Sequence, residues 1–176
     1  WTTSPATMGT ARYQLGSAGT QTAALGFGGI AGTVKNNTES FNGTSWTAGG
    51  NLNTARLTLA GVGLQTAALA FGGDTNVPAF PGAAESYNGS TWTSVASMNT
   101  GRSGLGGAGT QTAAIGVGGA PPPSSSSATE SWNGSSWTTL SATLNTARQL
   151  MGSAGTQTYA IVFGGGEPPS SKGTAE

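Results

Sequence analysis

The pattern of apolar and polar positions repeats along the chain every 45 residues or so. Each repeat holds an apolar segment, TAALGFGG in its first copy, that follows a glycine-rich segment and a short polar turn. In this segment Ala23, Leu25 and Phe27 alternate with the smaller Ala24 and Gly26. Such alternation predicts β-strands. One bulky and one small face per sheet would let neighbouring sheets interlock at interior density.

Several residue types keep the same period. Four tryptophans, four arginines, four glutamates and four Gly-Gly doublets recur once per repeat. The tryptophans are Trp1, Trp46, Trp92 and Trp137, and the arginines are Arg12, Arg56, Arg102 and Arg148. The glutamates are Glu39, Glu85, Glu130 and Glu176, and the doublets lie at 28–29, 72–73, 118–119 and 164–165. A period of this length without a helical pattern is typical of a β-propeller built from four-stranded blades.

The sequence therefore predicts an all-β fold, a β-propeller of about four blades that forms a single domain over residues 1–176. The blades are expected near residues 12–56, 56–102, 102–148 and 148–176, with residues 1–11 completing the last one. Closure of a four-blade ring by an outermost strand from Trp1 is one possibility. An excerpt of a longer array and two chains that pool eight blades are the others.

The third strand of a repeat is predicted to end at an Asn-Gly pair, as at Asn42-Gly43. Asn-Gly is a strong hairpin signal because both turn residues then adopt positive φ. An aromatic residue precedes each turn and the phased tryptophan follows it. We therefore expect cross-strand pairs of aromatic rings in the outer hairpin: Phe41 with Trp46, Tyr87 with Trp92 and Trp132 with Trp137.

Charge is scarce in this chain and largely phased. Only twelve of the 176 residues are charged, six of each sign, and eight of these twelve are the repeated Arg and Glu. Without a basic patch, nucleic acid and a polybasic membrane contact are excluded as partners, and no apolar run is long enough for a transmembrane helix. Cys and His are absent, so we expect no metal site and no cofactor.

The phased Arg and Glu allow two interpretations. A ring of arginines at a propeller mouth could grip an anionic sugar or a carboxylate. Alternatively, each Arg pairs with a Glu or with backbone carbonyls between strands and holds the blades together. Uniform repetition favours the structural interpretation, because a ligand site is usually asymmetric.

The segments after the Gly-Gly doublets are where the repeats diverge, at residues 30–38, 74–84, 120–129 and 166–175. Variable loops on one face of a rigid scaffold are a common location for recognition. The candidate ligand-binding residues of this loop face are Lys35, Asp74, Phe80, Glu167 and Lys172. Phe80 could stack on a sugar ring. A merely tolerant loop set is the alternative.

The order of these features resembles kelch repeats: an Arg-led inner strand, an apolar strand closed by Gly-Gly, then an aromatic residue and a Trp across a turn. The wording GTQTAALGFGG, TESFNGTSWT and LNTAR is also similar to repeats in tail-fibre or other virion-surface proteins of marine bacteriophages. This resemblance implies a structural or host-attachment role rather than a catalytic one.

The sequence thus predicts a non-enzymatic β-propeller on a virion surface or in the extracellular space. It would bind a glycan or a host-surface receptor through the loop face. The alternative is a purely architectural subunit that packs against other virion or fibre subunits, or against copies of itself. A carbohydrate-processing enzyme that uses Asp74 or Glu167 is a remote third candidate, since neither carboxylate has an evident partner.

Overall fold

The computed structural model describes residues 6–77, 81–121, 124–167, 170–171 and 174–176, with the backbone alone at residues 167, 170 and 171. All regular secondary structure in the described residues is β-strand. In chain order they are β1 (Gly16–Thr20), β2 (Ala23–Phe27), β3 (Ile30–Ala31), β4 (Thr33–Val34), β5 (Thr38–Phe41), β6 (Trp46–Ala48), β7 (Ala60–Leu64), β8 (Ala67–Phe71), β9 (Ala84–Tyr87), β10 (Trp92–Val95), β11 (Gly106–Gly109), β12 (Ala114–Val117), β13 (Thr129–Trp132), β14 (Trp137–Thr139), β15 (Gly152–Gly155), β16 (Ala160–Phe163), β17 (Gly166–Glu167) and β18 (Ser170–Ser171).

Each repeat forms one antiparallel sheet. Sheet 1 has the order β1-β2-β5-β6, sheet 2 is β7-β8-β9-β10 and sheet 3 is β11-β12-β13-β14. Sheet 4 contains β15 and β16, and Glu176 extends it through backbone hydrogen bonds with Val162. The pairs β3–β4 and β17–β18 are small hairpins outside these sheets. The all-β prediction is confirmed, and the sheets are compatible with a propeller-like arrangement.

The sheets interlock through a bulky and a small face, as the alternation predicted. The innermost strands β1, β7, β11 and β15 lie side by side in that order. Phe27 and Phe71 of the second strands are fully buried. A Cβ atom on Gly61 would lie only 2.4 Å from the Phe27 ring, and one on Gly107 only 2.8 Å from the Phe71 ring. The core therefore lies between successive sheets, and glycine creates the room for each aromatic ring.

The predicted aromatic pairs of the outer hairpins are present. Ring centroids lie 5.2 Å apart in Phe41–Trp46, 4.8 Å in Tyr87–Trp92 and 5.4 Å in Trp132–Trp137. The predicted backbone of the turn is wrong, because only the glycine adopts positive φ, at 97° in Gly43. The loop is longer than a two-residue turn, since Phe41 pairs directly with Trp46. Asn42 Oδ1 instead accepts the backbone amides of Thr44 and Ser45, and this fixes the loop.

The predicted ring closure concerns residues outside the described part of the chain, because Trp1 belongs to the undescribed segment 1–5. Between residues 12–48 and 149–167, which hold sheets 1 and 4, no hydrogen bond or ion pair is formed. The four sheets thus follow one another in sequence order, and the described residues do not show a closed ring.

Candidate functional site

Each phased arginine forms an ion pair with the phased glutamate of its own sheet. The guanidinium nitrogen and carboxylate oxygen lie 3.1 Å apart in Arg12–Glu39, and 2.9 Å apart in Arg56–Glu85 and in Arg102–Glu130. Arg148 and Glu176 form the fourth pair. The arginine side chains are 0 to 1% exposed. Such buried groups cannot reach a ligand at the surface of the protein.

Backbone groups also bind these charges, although the Nε atom of each phased arginine is buried without a hydrogen-bond partner. Arg56 Nη1 donates to the carbonyls of Gly72 and Ala83 at 2.8 and 2.6 Å. Glu85 accepts the backbone amides of Asn53 and Thr54 at 2.7 and 3.3 Å. Those amides belong to the segment that arrives from sheet 1. The ion pair itself lies within one sheet, rather than between sheets, and its glutamate fastens the connection from the preceding sheet.

Burial lowers the pKa of Arg56 and Arg102, while the negative charge of Glu85 or Glu130 opposes the shift. Burial likewise lowers the pKa of Arg12, and Glu39 opposes it. A paired and hydrogen-bonded charge is the form in which an ion is tolerated in a protein interior. The burial and pairing of these charged residues are therefore those of structural ion pairs.

The connecting segment contains a structural residue that the sequence analysis did not single out. Asn53 Nδ2 donates to the carbonyl of Trp92, and Asn99 Nδ2 donates to that of Trp137. Each asparagine thereby ties the connection to the outermost strand of the next sheet. The sequence signal for this role is the repeated motif NTAR at residues 53–56 and 145–148, with the matching NTGR at residues 99–102.

The variable loops leave all four sheets from the same end. The first residue after each Gly-Gly doublet forms a bridge with the residue after the phased Arg: Tyr13 with Ile30, Leu57 with Asp74, Ser103 with Ala120 and Gln149 with Gly166. Because these bridges occupy equivalent positions in every repeat, the described parts of the loops 30–38, 74–84, 120–129 and 166–175 begin at one end of the sheet array. We call this end the loop face.

Two of the predicted loop-face residues have described side chains, Lys35 and Asp74. Lys35 Nζ donates to Thr33 Oγ1 at 3.0 Å, and Asp74 Oδ1 accepts the backbone amide of Asn76 at 2.6 Å. Both contacts stay within the residue's own loop. In the described part of the chain the ion pairs are all Arg–Glu, so Lys35 and Asp74 keep their charges uncompensated by an ion pair.

The remaining predicted loop-face residues cannot be placed beside them. Phe80 and Lys172 lie outside the described residues, and only the backbone of Glu167 is described, in β17. Of the five predicted residues, the structure therefore places only the side chains of Lys35 and Asp74. Among the described residues no group of three or more Asp or Glu side chains is placed to hold a metal ion.

The innermost strands line a cavity of about 350 Å³ beside their turns to the second strands. Its walls are small residues, among them Ala18, Gly61, Gly107 and Gly155, and none of the lining residues is charged. Backbone groups are the main polar atoms here, so this cavity offers no acid, base or nucleophile for a reaction.

A second cavity, of about 340 Å³, lies between sheets 3 and 4 and is apolar. Ile115, Val117, Leu144 and Val162 line it, together with Glu176. The equivalent space between sheets 1 and 2 is filled by Trp92, whose ring packs against Phe27 at a centroid distance of 4.8 Å. This cavity is therefore the position of a fourth-strand tryptophan in sheet 4. We call it the tryptophan seat.

Comparison with known proteins gives no further guide: no family model matches the chain, and no curated protein matches it. In the described residues, no helix is long and apolar enough to cross a membrane.

Proposed function

We propose that the chain is a kelch-like β-propeller with a non-enzymatic role on a virion or other extracellular surface. In this proposal the sheets are blades, and the loop face binds a host-surface receptor or a glycan. The resemblance of the repeats to kelch and phage tail-fibre sequences supports this assignment, and the contrast between buried repeat positions and variable loops carries it.

That contrast separates two classes of charged residue. The phased arginines and glutamates are buried and form ion pairs with each other inside their own sheets. Lys35 and Asp74 instead sit in loops at one end of the array, and neither takes part in an ion pair. Polar groups that converge at one end of a rigid scaffold are free to recognise a partner. The loop face is therefore the best candidate for binding.

A glycan array and a binding assay on host cells test this proposal. We expect Lys35→Ala, Asp74→Ala and Phe80→Ala each to weaken the binding of the wild-type chain, and replacement of residues 74–84 by residues 30–38 to abolish it. Thr47→Ala, an exposed position in the outer strand β6, is the matched control and should bind normally. Absence of any glycan or cell-surface signal from the folded wild type would count against a binding role.

A second candidate is an architectural subunit of a fibre or shell. One observation favours it: the bulky face of sheet 4 is open to solvent, whereas the matching faces of sheets 1 and 2 are buried. A chain that assembles through this face would give a mass above that of one chain, with or without a ligand at the loop face.

A further inference from the structure

The three junctions between successive sheets are made by the same contacts. In each junction a glutamine from the turn after the innermost strand donates its side-chain amide to two backbone carbonyls of the preceding sheet. Gln65 binds Ala24 and Phe41, Gln111 binds Ala68 and Tyr87, and Gln157 binds Ala114 and Trp132, over distances of 2.6–3.3 Å. In these side-chain hydrogen bonds the following sheet is therefore always the donor and the preceding sheet the acceptor.

One series of backbone hydrogen bonds runs in the same direction. The amide of Thr58 donates to the carbonyl of Gln14, that of Gly104 to Thr58 and that of Leu150 to Gly104. These four residues all have positive φ. A second series runs in the opposite direction: the amides of Gly29, Gly73 and Gly119 donate to the carbonyls of Arg56, Arg102 and Arg148 of the following sheet. Every sheet is thus bound to the next by one recurring set of groups.

In the described part of the chain, sheet 4 has no following sheet to cover the face that corresponds to the buried bulky face of sheet 1. Phe163 is 48% exposed and Ile161 is 46% exposed, although the equivalent Phe27 and Leu25 are 0% and 1% exposed. Beside them lies Tyr159, which is 85% exposed and takes the place of an alanine in the other repeats. Sheet 4 therefore presents a larger apolar face than any other sheet, and the structure leaves it uncovered. We call Tyr159, Ile161 and Phe163 the open face.

The polar groups of a fourth junction are also free. On sheet 4, the carbonyl of Leu150 and the amide of Gly165 form no hydrogen bond in the described part of the chain. On sheet 1, the same holds for the amide of Gln14 and the side chain of Gln21, which is exposed. Each free donor or acceptor of sheet 4 has its counterpart on sheet 1.

Sheet 1 also offers the small face that a bulky face requires. Phe71 packs against Gly107, Gly116 and Trp137 of the next sheet. The equivalent positions of sheet 1 are Ser17, Gly26 and Trp46, and Trp46 is only half-buried whereas Trp137 is 6% exposed. Phe163 would fit the space over Gly26 as Phe71 fits the space over Gly116.

We propose that the open face of sheet 4 binds sheet 1 of a second copy of this chain, head to tail, through the contacts that join its own sheets. In this contact Gln21 donates to the carbonyl of Ala160, the amide of Gln14 to Leu150, and the amide of Gly165 to the carbonyl of Arg12. The two surfaces differ, so the contact is heterologous and either closes a ring or extends a fibre. This interface is separate from the loop face.

Native mass measured across a concentration series tests the contact, with light scattering or sedimentation as the readout. We expect the wild type to have a mass of at least two chains at high concentration. Tyr159→Lys places a charge in the contact and should raise the dissociation constant at least tenfold, because a charge buried without a partner is unfavourable. Gln21→Leu removes one donor and should raise the dissociation constant about fivefold.

A control variant and a mixing experiment make the result specific. Val77→Lys changes an apolar residue of the loop face that is 56% exposed, so it should associate as the wild type does. Mixing Tyr159→Lys with Gln21→Leu should restore one intact contact between the two chains, since each variant keeps one normal surface.

A wild type that stays monomeric throughout the series would overturn the proposal. If that monomer were destabilised by Tyr159→Lys, the open face would close within one chain, which also overturns a contact in trans. Association that Val77→Lys disrupts and Tyr159→Lys does not would place the interface on the loop face instead. Loss of glycan binding has no bearing on these outcomes, so this test and that of the loop face fail separately.

Discussion

The indole Nε1 of Trp92 donates to the hydroxyl of Thr38 in the preceding sheet over 2.9 Å. Trp137 occupies the same position one repeat later, but its Nε1 is buried without a hydrogen-bond partner. Ala84 stands where the hydroxyl of Thr38 would be, at the start of the third strand. The repeat therefore contains one junction with its indole satisfied and one with the indole unpaired.

We expect Ala84→Ser to stabilise the protein, since it supplies an acceptor to a buried donor. Serine is the better replacement because the methyl group of Thr38 packs beside Gly49, whereas Val95 lies across from Ala84 and fills that space. One buried hydrogen bond contributes about 1 kcal/mol, which corresponds to a rise in Tm of about 2–4 °C for a chain of this size. Thermal unfolding measures this.

The converse change serves as the control for that prediction. Thr38→Val keeps the shape of the side chain and removes the acceptor of Trp92, so it should lower the free energy of unfolding by about 1–3 kcal/mol. If Ala84→Ser and Ala84→Gly lowered Tm equally, the added hydroxyl would not be reaching Trp137.

The buried ion pairs make a second prediction. Glu130→Gln leaves the guanidinium of Arg102 without its counter-charge at a site where both side chains are at most 1% exposed. Breaking a buried pair in this way typically lowers the free energy of unfolding by about 3–5 kcal/mol. Urea denaturation measures the loss. Lys35→Met, which removes a loop charge without an ion pair, should change the midpoint little.

The double variant Arg102→Met/Glu130→Met is the sharper test of what this pair does. Apolar replacement of a buried pair is often harmless elsewhere. Here it also strips partners from the carbonyls of Gly118 and Ala128 and from the amides of Asn99 and Thr100. We therefore expect no recovery of stability relative to Glu130→Gln. Full recovery would mean that charge alone, and not the backbone contacts, explains the repeated pair.

Most of the fold could be predicted from the repeat, because the sequence patterns that indicate strands and hairpins are local. Alternation at Leu25 and Phe27 predicted the strands and the buried face, and the aromatic residues on either side of Asn42-Gly43 predicted the outer hairpin. The backbone of that turn could not be predicted from the dipeptide alone. Asn42 Oδ1 binds the amides of Thr44 and Ser45 and holds a longer loop, so only Gly43 adopts positive φ.

The candidate site was less predictable, since it depends on contacts between repeats. Nothing local in the turn around Gln65 shows that its amide spans two carbonyls of another sheet. Lys35 and Asp74 are recognisable in the loops by their charge, but the sequence does not show how far apart the two side chains lie. The open face was likewise hidden, because Phe163 looks the same in the sequence as the buried Phe27.

Tyr87 makes a prediction for alkaline solution. Burial raises the pKa of its phenol, and the backbone amide of Gly50 opposes that shift. Since the pKa is higher in the folded state than in the unfolded state, the unfolded chain loses this proton first as pH rises. The contribution of this pKa difference to the free energy of unfolding is fully present below the pKa of the unfolded state, at about pH 10. It decreases as the pH rises above that value and is lost once the pH has passed the pKa of the folded state.

We therefore expect Tyr87→Phe to reduce the steepness with which the free energy of unfolding falls above pH 10. Phenylalanine already occupies the equivalent position 41, so the fold accepts it. Urea denaturation between pH 8 and 11 measures the slope. Tyr159→Phe is the control because Tyr159 is exposed, and it should leave the slope as it is in the wild type at a protein concentration where the chain is monomeric. An unchanged slope in Tyr87→Phe would assign the alkaline transition to other groups.

The junction glutamines make a prediction that depends on charge. In Gln111→Glu the carboxylate would face the carbonyls of Ala68 and Tyr87, to which the amide donates at 3.3 and 2.6 Å. Repulsion and the loss of both hydrogen bonds should lower the free energy of unfolding by about 2–3 kcal/mol at pH 7. Protonation of the new side chain restores a donor, so part of the loss should return below pH 4.

Gln21→Glu is the matched control, because Gln21 has no preceding sheet in the described chain and forms no hydrogen bond there. At a protein concentration where the chain is monomeric, it should change the free energy of unfolding by less than about 0.5 kcal/mol. Equal effects of the two substitutions would show that position in the turn, rather than the contact between sheets, determines stability.

The last prediction concerns the close approach of sheets 1 and 2 at Gly61. A Cβ atom there would lie 2.4 Å from the Phe27 ring and 2.4 Å from the backbone carbonyl oxygen of Ser17. The ring can rotate, but the carbonyl belongs to the strand β1 and can move only if the sheets separate. Gly61→Ala should therefore lower the free energy of unfolding by about 1–3 kcal/mol and weaken the packing of Phe27. Ser17 occupies the same repeat position in sheet 1, where no sheet precedes it, so Ser17→Ala should be neutral in the monomer. Guanidinium denaturation of both variants measures this difference, and a Gly61→Ala protein as stable as the wild type would mean that the junction can widen without loss of packing.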